Sequence, residues 1–239
     1  MTGDVQASGT TYTKHATIQV IGNDDLVYYQ TRGVCTGTGT ASDPYVFNGY
    51  DINGTGVACI YIAQITAHVV ISNCYLHDNK YGVELVGSPN VTITNNNCSG
   101  NTPYGIFLYY TSNDTVTNNV CIDSAHGIYT IGSSDNLFNN NTCKATNACA
   151  VMIAGDPTPR NSLRNVLTNN TCYSSGDNGI YLMHSDHSII AKNTLLNNKG
   201  HGIHLADSNY NNVYGNALIG NNKSTSVYNV LHQQCADTS

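Results

Sequence analysis

Short runs of alternating apolar and polar positions recur along most of the chain. From about residue 57 onward, each run opens with a small residue followed by an apolar–any–apolar triplet, and the run returns about every 23 residues. One interval is longer and contains residues 156–160, which we interpret as a surface loop. The opening small residues are Cys59, Gly82, Gly105, Gly127, Ala150, Gly179 and Gly202. Alternation with a period of two predicts β-strands, and a fixed repeat of this length predicts a solenoid.

Each repeat also carries an asparagine at a nearly constant distance after its small residue. These asparagines are Asn96, Asn119, Asn141, Asn170, Asn193 and Asn216. In four repeats a cysteine follows two positions later, at Cys98, Cys121, Cys143 and Cys172. Equivalent residues of neighbouring coils stack at a spacing of about 4.8 Å, so asparagine side chains can pass hydrogen bonds from coil to coil. We therefore predict that the two columns form a core ladder with a structural role.

These patterns predict an all-β protein, a single-stranded right-handed parallel β-helix (solenoid) of about eight coils of 22–24 residues. We expect one structural domain in three parts: residues 1–32 as an N-terminal arm with the first strands, residues 33–222 as the β-helix, and residues 223–239 as a C-terminal strand and tail. Neither end of the chain shows the pattern of a cap. Because bare strand edges recruit further chains, we expect head-to-tail stacking of this protein into a homopolymer.

The composition narrows the possible function classes. The chain has one Glu, six Lys and 33 Asn, so the residues that cover exposed helix faces are scarce and a helical protein is excluded. The formal net charge is −6 and the basic residues are scattered singly, which argues against a nucleic-acid partner. No apolar run is long enough to span a membrane, and no basic-then-apolar leader opens the sequence.

Several segments carry a family resemblance. They are Gly-Thr-Gly-Thr-Ala-Ser-Asp-Pro-Tyr-Val at residues 37–46, Ile-Ser-Asn-Cys-Tyr-Leu at residues 71–76, and the recurring Asn-Asn-x-Cys and Gly-Ile-Tyr-Leu motifs. In these segments the chain resembles the NosD-like right-handed β-helix proteins, over roughly residues 33–222. That group includes archaeal cell-surface proteins and belongs to a wider set of carbohydrate-binding proteins and sugar hydrolases. The resemblance implies a secreted or surface-exposed protein; some members are linked to copper-site maturation, others to polysaccharides or envelope layers.

Acidic residues are the first candidates for catalysis, because glycoside cleavage needs two carboxyl groups about 5 to 9.5 Å apart. Few acidic residues of this chain share a column. Asp114 and Asp135 lie one coil apart near a predicted corner, and corner aspartates usually form turns. We therefore predict no catalytic residues, and a polysaccharide-active enzyme is the least favoured alternative.

Histidines and cysteines are the candidate metal ligands. His184, His187, His201 and His204 fall within two predicted coils. His201 and His204 are three positions apart on a strand, so we expect them to point to opposite faces. A straight stack of cysteines cannot surround an ion tetrahedrally. The sequence therefore predicts no metal site and no cofactor.

The nine cysteines are an odd number, so at least one thiol is free or paired between chains. Cys35 and Cys235, near opposite ends of the chain, are the candidates for an inter-chain disulfide. The stacking distance does not suit disulfides, so we expect the column cysteines to be free core residues. Among the Asn-x-Ser/Thr sequons, Asn90, Asn113 and Asn222 lie at predicted corners and are the candidate N-glycosylation sites.

One outward column beside the inward apolar residues is rich in aromatic side chains. The candidate surface for a ligand or a second subunit consists of Tyr61, Phe107, Tyr129, Tyr181, His204 and Tyr228. Cross-strand stacking that only stabilises the sheet is the structural alternative. We predict a secreted structural protein, a self-associating subunit of an extracellular or cell-surface filament, sheath or layer. The alternative is a carbohydrate-binding module that uses this aromatic column to hold a polysaccharide.

Overall fold

The computed structural model describes residues 11–54, 56–156 and 161–222, and the backbone of residues 230–238. Within these ranges each strand pairs in parallel with the equivalent strand of the next coil. The eight strands of one face correspond to about seven full turns, close to the eight coils expected. The prediction of an all-β parallel β-helix is confirmed.

Three faces make up each coil. The first face is one eight-stranded sheet: β2 (Ile18–Ile21), β5 (Ala58–Ala63), β8 (Tyr81–Val86), β10 (Tyr104–Tyr109), β13 (His126–Ile131), β16 (Val151–Ala154), β20 (Ile180–Met183) and β24 (Ile203–Ala206). The second face is formed by β3 (Tyr45–Asn48), β6 (Val69–Ser72), β9 (Val91–Thr94), β11 (Thr115–Thr117), β14 (Leu137–Asn139), β18 (Val166–Thr168) and β22 (Ile189–Ala191).

The third face begins with β1 (Thr13–Lys14), β4 (Tyr50–Asn53) and β7 (Tyr75–His77), and continues with β12 (Val120–Ser124), β15 (Thr142–Ala145), β19 (Thr171–Tyr173) and β23 (Thr194–Leu196). The long strand β25 (Asn211–Ile219) joins the second and third faces and pairs with β26 (Val230–Thr238). β17 (Ser162–Leu163) and β21 (Ser185–Asp186) form a small separate pair, and α1 (Asn23–Thr31) is the helix of the described chain. Strands β1 and β2 already pair with the next coil, so the solenoid begins before residue 33.

The asparagine column forms a hydrogen-bonded ladder inside one corner. The backbone N–H and the side-chain amide of Asn96 both donate to Oδ1 of Asn119, at 3.0 and 3.1 Å, and the amide also donates to the carbonyl of Ile71 at 2.9 Å. The same paired bonds link Asn119 to Asn141 and continue to Asn216. All six members are buried. The ladder therefore satisfies polar groups that would otherwise be costly to bury.

The small-residue column and the cysteine column lie against each other. A Cβ atom built on Gly105 would lie 2.6 Å from the carbonyl oxygen of Gly127 and 3.1 Å from Cβ of Cys121. Gly82 and Gly127 face Cys98 and Cys143 in the same way. The four column cysteines are buried and their thiols are free. Glycine is needed there because the next coil and the cysteine column leave no room for a side chain.

The N-terminal end of the solenoid is covered, so the expectation of two uncapped ends is wrong at this end. Helix α1 crosses the end of the core, and its Leu26 is fully buried. The ring of Tyr29 packs edge-on against Phe47 of β3, with 6.0 Å between centroids. The composition excludes a helical protein but does not exclude this single capping helix.

Helix α1 also occupies the free edge of strand β2. The Tyr29 hydroxyl accepts a hydrogen bond from the Gln19 N–H at 3.2 Å, and the Asp25 carboxylate accepts one from the Ile21 N–H at 2.8 Å. Successive N–H groups of a strand point alternately to its two sides. The Gly22 N–H donates to the Ala63 carbonyl of β5, so the N–H groups of Gln19 and Ile21 point to the opposite side, away from β5. These donors are no longer free to pair with a strand of a second molecule.

The sequence predicts that Asp114 forms a turn at a corner of the coil, and the structure gives it a different role. It is buried, with 1% exposure, in a second ladder where asparagines occupy the next coils at Asn136 and Asn165. Its carboxyl group accepts hydrogen bonds from the Val91 N–H and, at 2.8 Å, from the Thr111 hydroxyl, which also lies 2.5 Å from the Ser88 carbonyl. Burial raises the pKa of Asp114 to about 7.

We expect Asp114→Asn to stabilise the protein at neutral and higher pH. The pKa of Asp114 is about 7 in the folded protein and about 3.9 in the unfolded chain. The contribution of the protonated Asp114 to the free energy of unfolding is therefore complete below about pH 4 and is lost as the pH rises through 7. An asparagine amide can donate to the Thr111 hydroxyl without a charge. At about pH 8 the variant should gain roughly 2–4 kcal/mol over wild type, and at about pH 4 almost none, measured by urea unfolding.

The reverse change supplies the matched control. Asn119→Asp places a carboxylate where the native amide donates to the Ile93 carbonyl at 2.9 Å, so it should destabilise the protein increasingly as pH rises. Equal pH profiles for wild type and Asp114→Asn would contradict the assignment.

Candidate functional site

The outward side of the eight-stranded sheet, here called the outer face, carries the predicted aromatic column. Parallel pairing aligns Tyr61 with Glu84, Glu84 with Phe107, and Phe107 with Tyr129. The alignment continues through Met152 to Tyr181 and His204, and all of these except Glu84 are half-buried. Tyr228 lies outside the described residues. We call this set the central column.

A second outward column was missed by sequence reasoning. It consists of Tyr81, Tyr104, His126 and His201, three positions before the members of the central column. The rings of His201 and His204 lie 4.9 Å apart, so the expectation that they point to opposite faces is wrong. The glycine that follows each member breaks the alternation of period two, because it turns inward against the core. The recurring Tyr-Gly or His-Gly pair is the sequence feature that marks this second column.

Rings of the two columns partly cover one another. Tyr81 stacks on Tyr104 at 5.5 Å, Phe107 on Tyr129 at 5.6 Å, and His126 on Tyr129 at 5.1 Å. Such cross-strand pairs stabilise the sheet, as the structural alternative requires. Together they also form an unbroken aromatic surface over three coils.

Glu84 interrupts the central column, and a cleft opens beside it at the N-terminal end of the outer face. The cleft has a volume of about 560 Å³. Its walls include Gln19, Ile21, Val57, Ala58, Tyr61 and Glu84. Ile21 and Val57 are 51% and 55% exposed and form an apolar part of the rim, whereas Thr17, Gln19 and Glu84 supply polar side chains. A cleft that combines apolar walls with a few polar groups is typical of ligand sites.

Glu84 is the single glutamate of the chain, and its environment is unusual for a carboxylate. The residue is 9% exposed and its Oε2 atom has no hydrogen-bond partner. Burial raises the pKa of Glu84 above its ordinary value. The pKa values of Tyr61 and Tyr81 are raised by burial and, secondarily, by the charge of Glu84. A buried, unsatisfied carboxyl group costs stability and points to a functional site.

The middle of the outer face also contains a thiol, but not an activated one. Cys149 is buried, and burial raises its pKa to about 11. Its sulfur lies 3.7 Å from both Nδ2 of Asn178 and Oδ2 of Asp177. Burial lowers the pKa of the neighbouring His126. A thiol that stays protonated is not a nucleophile.

The remaining predicted residues are distributed over the surface and the core. Cys35 is 3% exposed, with its sulfur 3.7 Å from the Leu26 carbonyl, and its pairing with a second chain stays a prediction. The side chain of Cys235 lies outside the described residues. Asn90 is half-buried, and Asn113 and Asn222 are exposed. Their glycosylation stays a prediction.

The architecture defines the class of this protein as a parallel β-helix with an aromatic outer face. The family model described as "Periplasmic copper-binding protein (NosD)" matches residues 17–165 and 158–234. The chain belongs to the NosD family. A comparison with curated proteins finds no matching sequence.

Solved structures similar to this chain include polysaccharide-active proteins. A mutant of the periplasmic alginate epimerase AlgG has a TM-score of 0.64 and 17% identity, covering 80% of this chain and 59% of its own. The A-module of a mannuronan C-5 epimerase from Azotobacter vinelandii has a TM-score of 0.56 and 13% identity, covering 81% and 74%. An alginate lyase from Paenibacillus has a TM-score of 0.51 and 10% identity, covering 94% and 98%. At these identities the likeness shows the fold alone. The chain spans little more than half the length of the AlgG structure.

Copper appears in the family description, and a copper centre needs several ligating side chains close together. Within the ranges that the structure describes, no three His, Cys, Asp or Glu side chains lie together in a way that holds a metal ion. The described side chains therefore do not fit a copper centre. No helix of the described chain is long and apolar enough to cross a membrane.

Glu84→Gln should raise the stability of the protein. Glutamine keeps the shape and removes the charge that burial penalises, so we expect a gain of roughly 1–3 kcal/mol in the free energy of unfolding at pH values above the raised pKa. The gain should vanish in acid, where the carboxyl group is protonated in both the folded and the unfolded state. Urea unfolding at several pH values measures it.

Asp207→Asn is the matched control, because Asp207 is exposed and its left-handed backbone suits asparagine. It should change stability by less than about 0.5 kcal/mol. A loss of stability in Glu84→Gln at neutral pH would show that the carboxylate stabilises the fold instead.

Proposed function

We propose that this protein is a carbohydrate-binding β-helix module that holds a polysaccharide along its outer face, in the periplasm or at the cell surface. The observation that carries the proposal is the cleft of Tyr61 and Glu84, which continues directly into the aromatic surface of Phe107 and Tyr129. One end of a sugar chain enters the cleft and the following units lie over the aromatic rings.

The chemistry of the outer face suits sugars. Sugar rings present apolar C–H faces that pack against aromatic rings, and hydroxyl groups that need hydrogen-bond partners. Tyr61 supplies a ring beside the cleft. The Gln19 amide can donate and accept hydrogen bonds, and the Glu84 carboxylate can accept them. The central column places one outward side chain in each coil at about 4.8 Å, and most of these side chains are rings, which favours an extended ligand over a compact one.

The site supports binding better than cleavage. Hydrolysis of a glycosidic bond uses two carboxyl groups, and Glu84 is the one carboxyl group among the cleft residues. The Cys149 thiol on the same face stays protonated. Alginate-active neighbours with the same fold support a polysaccharide ligand for this chain.

Self-association into a head-to-tail homopolymer is the weaker proposal. At the N-terminal end, helix α1 covers the core and its side chains occupy the edge N–H groups of β2. A polymer through this end would need the helix to move. Sedimentation at high concentration tests the proposal: monomers count against it, and filaments revive it.

Tyr61→Ala and Tyr129→Ala should each weaken polysaccharide binding about threefold to tenfold, because each removes one ring from the surface that contacts sugar. Affinity electrophoresis against alginate, a neutral β-glucan and chitosan measures the effect.

Tyr210→Ala is the control. Tyr210 is 56% exposed but stacks on His187 at a corner, away from the outer face. It should bind as wild type does. The proposal fails when wild type binds none of the three polymers, or when Tyr210→Ala loses as much affinity as the outer-face variants.

A further inference from the structure

The charge of the outer face selects among sugars. The eight strands of the first sheet contain no lysine and no arginine, and Glu84 is their one acidic residue. None of the ion pairs of the described residues includes Glu84. An acidic sugar such as a uronate would therefore meet a carboxylate and no lysine or arginine from these strands.

Glu84 lines the cleft and has no cationic partner among the described residues. Its side chain is buried between Tyr61 and Phe107 in the strand register, and Oε2 has no hydrogen-bond partner. A buried carboxylate without a partner gains most from a cation that donates hydrogen bonds to it. The ring of Tyr61 on the same cleft suits a cation as well as a sugar face.

We propose that the cleft binds an amino sugar, with the protonated amine of the sugar paired to the Glu84 carboxylate and the sugar ring packed against Tyr61. The inference rests on the proposed function, since it names the sugar class that the polysaccharide-binding face takes. The apolar rim of Ile21 and Val57 shields the ion pair from water and so strengthens it. The amine brings to the Glu84 carboxylate the opposite charge that no ion pair of the described residues provides.

The experiment measures binding of short, defined ligands by titration calorimetry at neutral pH. The probes are a glucosamine tetrasaccharide, its fully N-acetylated counterpart, a mannuronate tetrasaccharide and an aliphatic diamine. N-acetylation removes the charge and keeps the sugar ring, and the diamine keeps the charge and removes the ring. We expect wild type to bind the glucosamine tetrasaccharide at least about tenfold more tightly than each of the other probes.

Glu84→Gln tests the residue itself. The variant should lose about tenfold or more in affinity for the glucosamine tetrasaccharide while its affinity for the N-acetylated probe stays near that of wild type. Tyr129→Ala should weaken the binding of both sugar probes to the same extent, because the Tyr129 ring packs against the sugar and does not contact the amine. The urea unfolding of Glu84→Gln shows separately that the variant is folded.

The outcomes separate the two proposals. Equal or tighter binding of the N-acetylated or mannuronate probe, or an unchanged preference in Glu84→Gln, overturns the amino-sugar inference and leaves the carbohydrate-binding function standing. Binding of the diamine as tight as that of the amino sugar overturns the inference too, because the sugar ring then contributes nothing. Failure of every sugar probe and every polysaccharide overturns both proposals.

Discussion

Everything in this structure depends on stacking each coil directly on the previous one. The coils rise by about 4.8 Å each, so a polar group that is buried at a corner of one coil is also buried at the equivalent corner of every other coil. Its hydrogen-bond partner must therefore repeat with the same period. Stacked asparagines meet this need, because each side chain accepts from the coil before it and donates to a carbonyl of an earlier coil. The recurring Asn-Asn pair has a physical explanation here: the first residue adopts a left-handed backbone at the turn, as Asn95 and Asn118 do, and the second enters the ladder.

The same constraint explains why the outer face is informative about function. Inward positions are fixed by packing and corners by hydrogen bonding, whereas an outward side chain needs only to avoid disturbing its neighbours on the sheet. Most of the outer face satisfies this condition with aromatic rings that cover one another. Glu84 does not, because it buries a carboxyl group without a partner among aromatic residues. A residue that costs stability and leaves the hydrogen bonding of its fold incomplete is a candidate for contact with a ligand.

Sequence patterns predicted the solenoid correctly because the same pattern recurs in every coil, so an ambiguous assignment in one coil is resolved by the others. The asparagine and cysteine columns could be read directly, since their spacing is the coil itself. The capping helix α1 could not, because Leu26 is its single fully buried residue and no apolar stripe marks it. The second aromatic column was hidden by an assumption of strict alternation, which fails at the glycines that press against the core. Glu84 does not stand out in the sequence because glycoside cleavage is recognised by pairs of carboxylates, whereas Glu84 is notable for being alone and buried.

The comparison with alginate-active β-helices shows how far a shared fold carries an argument about ligands. The fold supplies a long, flat, repeating surface, and this favours extended polymers whatever their charge. The charge of the polymer must be read from the side chains on that surface. In this chain the strands of the outer face carry one carboxylate and no lysine or arginine, so the shared fold here has a surface whose strands offer an acidic polymer no lysine or arginine partner. For the proposed binding function, the class of ligand would therefore depend on a few outward residues, which lie apart from the ladders that hold the coils together.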